Sequence, residues 1–273
     1  MIWVLFLIGI IGLYYIGCYL MASAYVSPVR LRAGSPIDGF REVTFAGDGY
    51  EIPAWYGGSG NDVFVLVHGY GGTQSFWNPL AEQLLKYGEV VILATMGQTV
   101  SPARQVGFGE GEAGEVLAVA RALKSEGKRV HLVGVSMGGA ASWMAAGTDP
   151  ELISSVTTES AFARLDWAGD DFLSVSIPGG AKIFRPIVLM AQKKKGVVSS
   201  EVRPMEYAKK WTGPSLIFHS RDDGMFGPRH PEALSEATGR PIEWYDGLKH
   251  TEICRDRAPE VAEKIWRMVK DVE

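Results

Sequence analysis

From Ile2 to Met21 the chain is almost entirely Ile, Leu, Val, Phe, Tyr and Gly, and no Asp, Glu, Lys or Arg precedes Arg30. A helix rising about 1.5 Å per residue needs roughly 20 residues to cross the ~30 Å hydrocarbon core of a bilayer. The pattern therefore predicts a transmembrane helix within residues 1–26, with Trp3 near one end and Tyr14, Tyr15, Tyr19 and Tyr25 toward the other as interfacial aromatics. A cleaved signal peptide is the competing expectation, since Ala22-Ser23-Ala24 has the A-x-A form. The missing basic n-region and the length of the apolar run favour an uncleaved anchor. Arg30, Arg32 and Arg41 follow the run, so the positive-inside rule places the following domain on the cytoplasmic side of a single-pass membrane protein. A secreted or outward-facing domain is the alternative.

After a Pro- and Gly-containing linker (27–39), the pattern changes to short apolar runs alternating with amphipathic stretches. Phe40 to Phe45 and Glu51 to Tyr56 flank Asp48-Gly49, a hairpin signal. Strands are expected at Val63 to Val67, Val90 to Ala94, Val130 to Val135, Ile153 to Thr158, Ser215 to Phe218 and Ile242 to Tyr245. Helices are expected over Trp77 to Tyr87, Glu112 to Ser125, Gly139 to Ala146 and Ala258 to Val272. Such alternation predicts an α/β fold in residues 40–273, a mostly parallel sheet with helices on both faces. Residues 163–213 break the rhythm, because an αβ connection usually needs far fewer, and are expected to form a short cap-like insertion after the strand ending near Thr158. Within it, Ile183 to Lys195 is expected to be a helix whose last turn carries Lys193, Lys194 and Lys195 against the macrodipole and which stops at Gly196. Contact of that basic end with a membrane surface is the sharper alternative.

Composition narrows the function classes. The 273 residues carry a net charge of −4, which removes the basic footprint of a nucleic-acid-binding domain. Cys18 and Cys254 cannot build a disulfide framework, and no C-x-x-C pair offers metal-ligand spacing. Neither a metal nor a cofactor is expected.

Candidate chemistry begins at Gly134-Val135-Ser136-Met137-Gly138, between an expected strand and an expected helix. A G-x-S-x-G match arises by chance roughly 0.3 times in a chain of this composition, so the context carries the weight. A serine on a tight strand-to-helix turn needs small neighbours, which Gly134 and Gly138 supply, and the following helix N-terminus offers amides to a developing anion. The bland alternative is a Gly-rich turn with a serine N-cap. A second feature, His68-Gly69-Tyr70-Gly71-Gly72, ends the Val63 strand. Its glycines let a loop curl around a substrate carbonyl, so that the Tyr70 and Met137 amides form an oxyanion hole. His68, Gly69 and Gly71 are expected to support that loop, with His68 structural rather than catalytic.

With these motifs in this order, the chain from about residue 40 onward resembles the α/β-hydrolase superfamily, and within it the small serine esterase and lipase-like members. The resemblance implies that an acid follows the penultimate strand and a histidine the last one. Pro214-Ser215-Leu216-Ile217-Phe218-His219-Ser220-Arg221-Asp222-Asp223 is similar to the family's P-x-L-I-x-H-G-x-x-D stretch and implies Asp223 as the acid. Ser220 stands where the family usually has Gly, which leaves Asp222 as a neighbouring alternative. Glu159 is a more distant one, since some members carry the acid after the preceding strand. His250, after Trp244-Tyr245-Asp246-Gly247-Leu248-Lys249, matches the family's histidine. His131 and His219 lie within strands and read as core residues, and His230 comes too early.

The expected function is carboxylic-ester hydrolysis through an acyl-enzyme. Ser136 is the nucleophile, His250 the base and Asp223 the orienting acid, acting on a small acyl ester or a lipid. The serine excludes family chemistries that need an aspartate nucleophile. An acyltransferase, or a thioesterase or lysophospholipase, would use the same triad. A non-catalytic binding member of the fold is the alternative from another class, and it has no need of a base at His250. Since no triad residue precedes Ser136, a fragment starting near Ser27 is expected to be soluble and active.

Overall fold

The chain opens with helix α1 (Ile2–Val26) and a hairpin of β1 (Phe40–Ala46) and β2 (Glu51–Gly57), whose turn places Gly49 at φ 79°. Strands and helices then alternate: β3 (Asp62–Val67), α2 (Asn78–Leu84), β4 (Glu89–Leu93), α3 (Glu110–Ser125), β5 (Arg129–Val135), α4 (Met137–Thr148) and β6 (Ser155–Glu159). Three helices follow before the next strand, α5 (Leu165–Ser176), α6 (Ala181–Lys195) and α7 (Pro204–Ala208). Then come β7 (Ser215–Ser220), α8 (Arg229–Thr238), β8 (Ile242–Tyr245), α9 (Ile253–Asp256) and α10 (Ala258–Lys270). This computed structural model describes residues 1–27, 29–95, 101–102, 105–176, 181–195 and 198–271.

All eight strands join one sheet in the order β1-β2-β4-β3-β5-β6-β7-β8, antiparallel at β1, β2 and β4 and parallel from β4 to β8. The period of two in the central strands feeds two apolar layers. Val63, Val65 and Val67 of β3 pack with α3 and α4, while Phe64 and Leu66 pack with α2 and α10. Every residue of β3 and β4 is buried, as a strand covered on both faces requires. On one face lies α4, whose residues from Met137 to Gly147 are all buried and mostly Gly or Ala, which lets it sit close against β5 and β6. On the other lies α10, with Ala258, Val261, Ala262, Ile265 and Val269 inward at helical spacing and Glu263, Arg267 and Lys270 outward.

The helix expected over 77–87 forms only from Asn78 to Leu84. A 3₁₀ turn over Gln74–Trp77 precedes it, and turn residues 85–87 follow it to Gly88, packed so closely that a Cβ there would lie 2.5 Å from the Asp62 carbonyl oxygen. The strand expected from Ile153 begins at Ser155, because Pro150–Leu152 form a 3₁₀ turn. The expected stop at Gly196 and the end of the last helix at Val272 lie outside the described residues.

Helix α1 has two distinct halves. Ile2 to Leu13 are exposed apolar residues on a helix long and apolar enough to cross a membrane. From Tyr14 onward one face is packed: Cys18, Ala22 and Val26, four residues apart, are buried, and α1 lies along α6 of the insertion. The Tyr14 hydroxyl donates to the Ile183 carbonyl, Lys194 Nζ donates to Ser23 Oγ at 2.6 Å, and the Val106 amide donates to the Val26 carbonyl at 3.0 Å. A cut at residue 27 would strip this wall from the domain. A protein beginning at Ser27 is expected to melt about 5 °C below the full chain in the same detergent, roughly 2 kcal/mol for a domain of this size. Differential scanning fluorimetry checks this, with faster hydrogen exchange expected in α6.

Candidate active site

Ser136 occupies the single residue between β5 and α4, at φ 52° and ψ −120°. Positive φ is costly for a residue with a Cβ, and it is held here by packing on both sides. A Cβ on Gly134 would lie 2.4 Å from the Gly138 carbonyl oxygen, and one on Gly138 would lie 2.1 Å from that of Val67. Both positions are closed to any other residue. The Ser136 amide donates to the Glu159 carbonyl at 2.9 Å, and its own carbonyl accepts the Ala140 amide at 3.0 Å, so the turn is bonded into β6 and α4 at once.

The loop after β3 lies against this turn. A Cβ on Gly69 would come within 3.0 Å of Ser136 Cβ, and Gly71 has φ 69°. Behind the loop sits His68, fully buried, its Nδ1 2.9 Å from the Gly69 carbonyl and its Nε2 accepting the Thr95 amide at 3.3 Å. These partners fit a neutral ring protonated at Nδ1. Burial, opposed by the Gly69 contact, lowers its pKa to about 4. Tyr70 and Met137, the residues expected to supply oxyanion amides, line the same cavity as Ser136.

Asp223 and His250 arrive from the loops after β7 and β8. His250 Nε2 lies 3.0 Å from Ser136 Oγ, and His250 Nδ1 lies 2.9 Å from Asp223 Oδ2 and 3.0 Å from Oδ1. The Asp223 side chain is 1% exposed. Burial works against its charge, but the His250 contact and the Phe226 amide outweigh it and bring its pKa to about 2. The amides of Met225 and Phe226 donate to Oδ1 at 2.9 and 3.0 Å. Asp222 points elsewhere, its carboxylate accepting the Gly247 amide at 2.6 Å. Ser220, the departure from the family pattern, has a role of its own. Its hydroxyl donates to the Leu248 carbonyl and accepts the Asp222 amide at 3.1 Å, joining the acid-bearing loop to the histidine-bearing one.

Glu159 does not face His250 Nδ1. Its buried carboxylate accepts the amides of Ile253 and Cys254 at 2.7 and 2.8 Å, just beyond His250 and the positive-φ Thr251. Burial raises its pKa, and those two amides pull the other way. The other histidines are structural. His131 bridges Asp62 and Ser155, each at 2.9 Å; His219 Nε2 donates to the Phe226 carbonyl at 3.0 Å; His230 Nδ1 accepts the Ala163 amide at 3.0 Å, with Nε2 3.1 Å from Asp171.

The serine and histidine open onto an apolar cavity of about 160 Å³ walled by Phe76, Phe108, Phe162, Phe172, Phe226 and Tyr25. Tyr25, in the last turn of α1, and Phe172, in α5, carry no sequence signal for this site. Tyr25 reads as part of the apolar run, and only the packing of α1 brings it here. The Tyr70 hydroxyl donates to the Tyr25 carbonyl at 2.8 Å, so the last turn of α1 holds the loop beside Ser136.

The profile of the alpha/beta hydrolase family matches residues 64–264. No curated protein matches the sequence. Among solved structures, the chain is similar to the Pyrococcus furiosus esterase Pf2001, with 18% identity and a TM-score of 0.74 over 90% of this chain and 98% of that one. It is also similar to Est1E from Butyrivibrio proteoclasticus, solved with ferulic acid bound, at 16% identity and a TM-score of 0.67 over 84% and 98% of the two chains. A bacterial membrane phospholipase A described as a virulence factor aligns at 22% identity and a TM-score of 0.66 over 98% of this chain and 96% of that one, a span that takes in α1.

Asp223→Asn is expected to cut kcat by about 10⁴, the loss seen when a triad acid becomes an amide, while Asp222→Asn costs less than tenfold. Ester turnover by the two purified variants checks this, with a larger loss in Asp222→Asn as the contrary result. A pH effect on stability follows from the buried imidazoles. His68, His219 and His230 all have lowered pKa values, with burial the leading cause in each. Below pH 6.5 the unfolded chain takes up these protons before the folded one does, so stability present above 6.5 is lost as pH falls toward 4. For His68 alone the loss reaches about 3 kcal/mol. Thermal melts at pH 7 and pH 5 should show a clear drop, and His68→Asn should flatten it.

Proposed function

We propose that this chain, which belongs to the alpha/beta hydrolase family, is a serine hydrolase that cleaves carboxylic esters. One observation carries the reading: Ser136, His250 and Asp223 form a continuous hydrogen-bonded line, with 3.0 and 2.9 Å links, at an apolar cavity. In this reading His250 Nε2 takes the Ser136 proton as Oγ bonds to the acyl carbon, and the amides of Tyr70 and Met137 receive the carbonyl oxygen as it becomes an oxyanion. His250 then returns the proton to the departing alcohol, leaving an acyl-serine. A water, deprotonated by the same nitrogen, attacks the acyl carbon, and Ser136 regains its proton as the acid leaves. Asp223 keeps Nδ1 protonated and balances the imidazolium that forms twice per cycle. With a pKa of about 2, it stays ionised throughout the neutral range.

In the same reading α1 is a membrane anchor. The exposed apolar surface from Ile2 to Leu13 suits lipid rather than water, and the similarity to the membrane phospholipase A extends through this helix. The arginines at 30, 32 and 41 favour a cytoplasmic catalytic domain.

Ser136→Ala is expected to lower p-nitrophenyl ester hydrolysis by on the order of 10⁴ to 10⁶ and to abolish labelling by a fluorophosphonate probe, with an unchanged melting temperature. Wild-type turnover in the variant would remove the mechanism. Carbonate washing should leave the full chain in the membrane pellet, and a mature N-terminus at Tyr25 would mark a cleaved leader instead.

A further inference from the structure

The cavity beside Ser136 does not end at its aromatic wall. A second apolar cavity, of about 430 Å³, lies between α1, α5 and α6, and Tyr25, Tyr70 and Phe172 belong to the walls of both. The ring of Tyr25 stands 5.1 Å from that of Tyr70 and 5.2 Å from that of Phe172, so the two cavities share a wall of three packed aromatic residues. Met21, Ala24, Leu173, Ile187 and Val188 line the far side, and among the described residues no charged one does.

The level of this second cavity relative to a bilayer can be read from α1. Lys194 donates to Ser23 and lies 4.0 Å over the Tyr19 ring, an aromatic and cationic pair suited to lipid headgroups. The cavity begins at Met21, within a turn of that pair, and Met21 is itself half exposed beside the apolar surface of α1. Exposed Ile183 and Leu189 on α6 and Val175 on α5 continue the apolar surface around it. Ester bonds of glycerolipids lie at headgroup level, with their chains directed into the apolar interior.

We infer that the cavity between α1, α5 and α6 binds the long acyl chain of a membrane lipid, whose ester carbonyl reaches Ser136 past Tyr25, Tyr70 and Phe172. This rests on the ester-hydrolase reading and adds its substrate class: long-chain acyl esters drawn sideways from the bilayer, with the tail kept in apolar surroundings throughout. Only the ester group crosses into the catalytic cavity, so the lipid never exposes its whole chain to water.

The test fills the second cavity from opposite walls, with Val188→Trp on α6 and Ala24→Trp on α1, each in the full-length chain in detergent micelles. The ratio of kcat/KM for p-nitrophenyl palmitate over p-nitrophenyl butyrate is expected to fall at least tenfold in both variants. Binding of a fluorescent long-chain fatty acid to the Ser136→Ala protein should weaken by a similar factor when either Trp is added. A ratio and a binding constant within twofold of the parent in both variants would overturn the inference. Absence of turnover on either ester in the parent, with no fluorophosphonate labelling, would instead overturn the hydrolase reading, and the fatty-acid binding arm would still decide whether an acyl chain occupies the cavity.

Discussion

The site depends on one close contact, where the start of α4 touches the end of β3 with no side chain between them. Gly138 lies so near the Val67 carbonyl that even a methyl group has no room. That approach puts the His68–Gly72 loop directly beside Ser136, and it fixes the strained backbone that lifts the hydroxyl out of the sheet. Strain of this kind costs about 1 to 3 kcal/mol per residue. The fully buried strands β3 and β4, with β5 buried from Val130 on, supply the rigidity that sustains it. Ser136 and the amides around it are therefore positioned by main chain, which has few ways to relax.

The histidine is held differently, by side chains at the ends of β6 and β7 and in the loop after β7. Glu159 is the clearest case, because its backbone carbonyl accepts the Ser136 amide while its carboxylate takes the two amides that follow His250. One residue thus ties the turn at Ser136 to the segment that follows His250. Ser220 does similar work between the loops carrying Asp223 and His250. A buried carboxylate is costly to desolvate, and Glu159 offsets that cost with two direct N–H donors. Its position at the end of β6 is where a chain of this pattern can carry an acid, yet here its carboxylate accepts the Ile253 and Cys254 amides.

Much of this arrangement was legible in the residue pattern. The order of strands and helices, the hairpin at Asp48-Gly49 and the insertion at 163–213 all follow from periodicity and turn chemistry, which are local properties. Ser136 and the His68–Gly72 loop were visible because close backbone approach demands glycine. The choice between Asp222 and Asp223 was not, since both follow the same strand, and it turns on which carboxylate meets Gly247 and which meets His250. The role of Tyr25 was equally hidden. An apolar run reads the same whether it ends in lipid or against a protein, and only the burial of Cys18, Ala22 and Val26 along one face tells the two apart. The starts of α2 and β6 slipped by one or two residues because 3₁₀ turns at Gln74–Trp77 and Pro150–Leu152 have no distinct periodic signature.

If α1 is the membrane anchor proposed above, the hydrogen bond from Tyr70 to the Tyr25 carbonyl makes the thickness of the bilayer a property of the site around Ser136. At 25 residues, α1 is about 37 Å long, more than the hydrocarbon depth of most membranes, and such helices fit by tilting. Here the tilt is not free, because the last turn is tied to the loop that faces Ser136. A thin membrane asks the helix to lean, and the helix asks the loop to follow. In the proposed reading, lipid chain length then acts on this protein twice, once as the size of the substrate and once as the mechanical load on the loop beside Ser136.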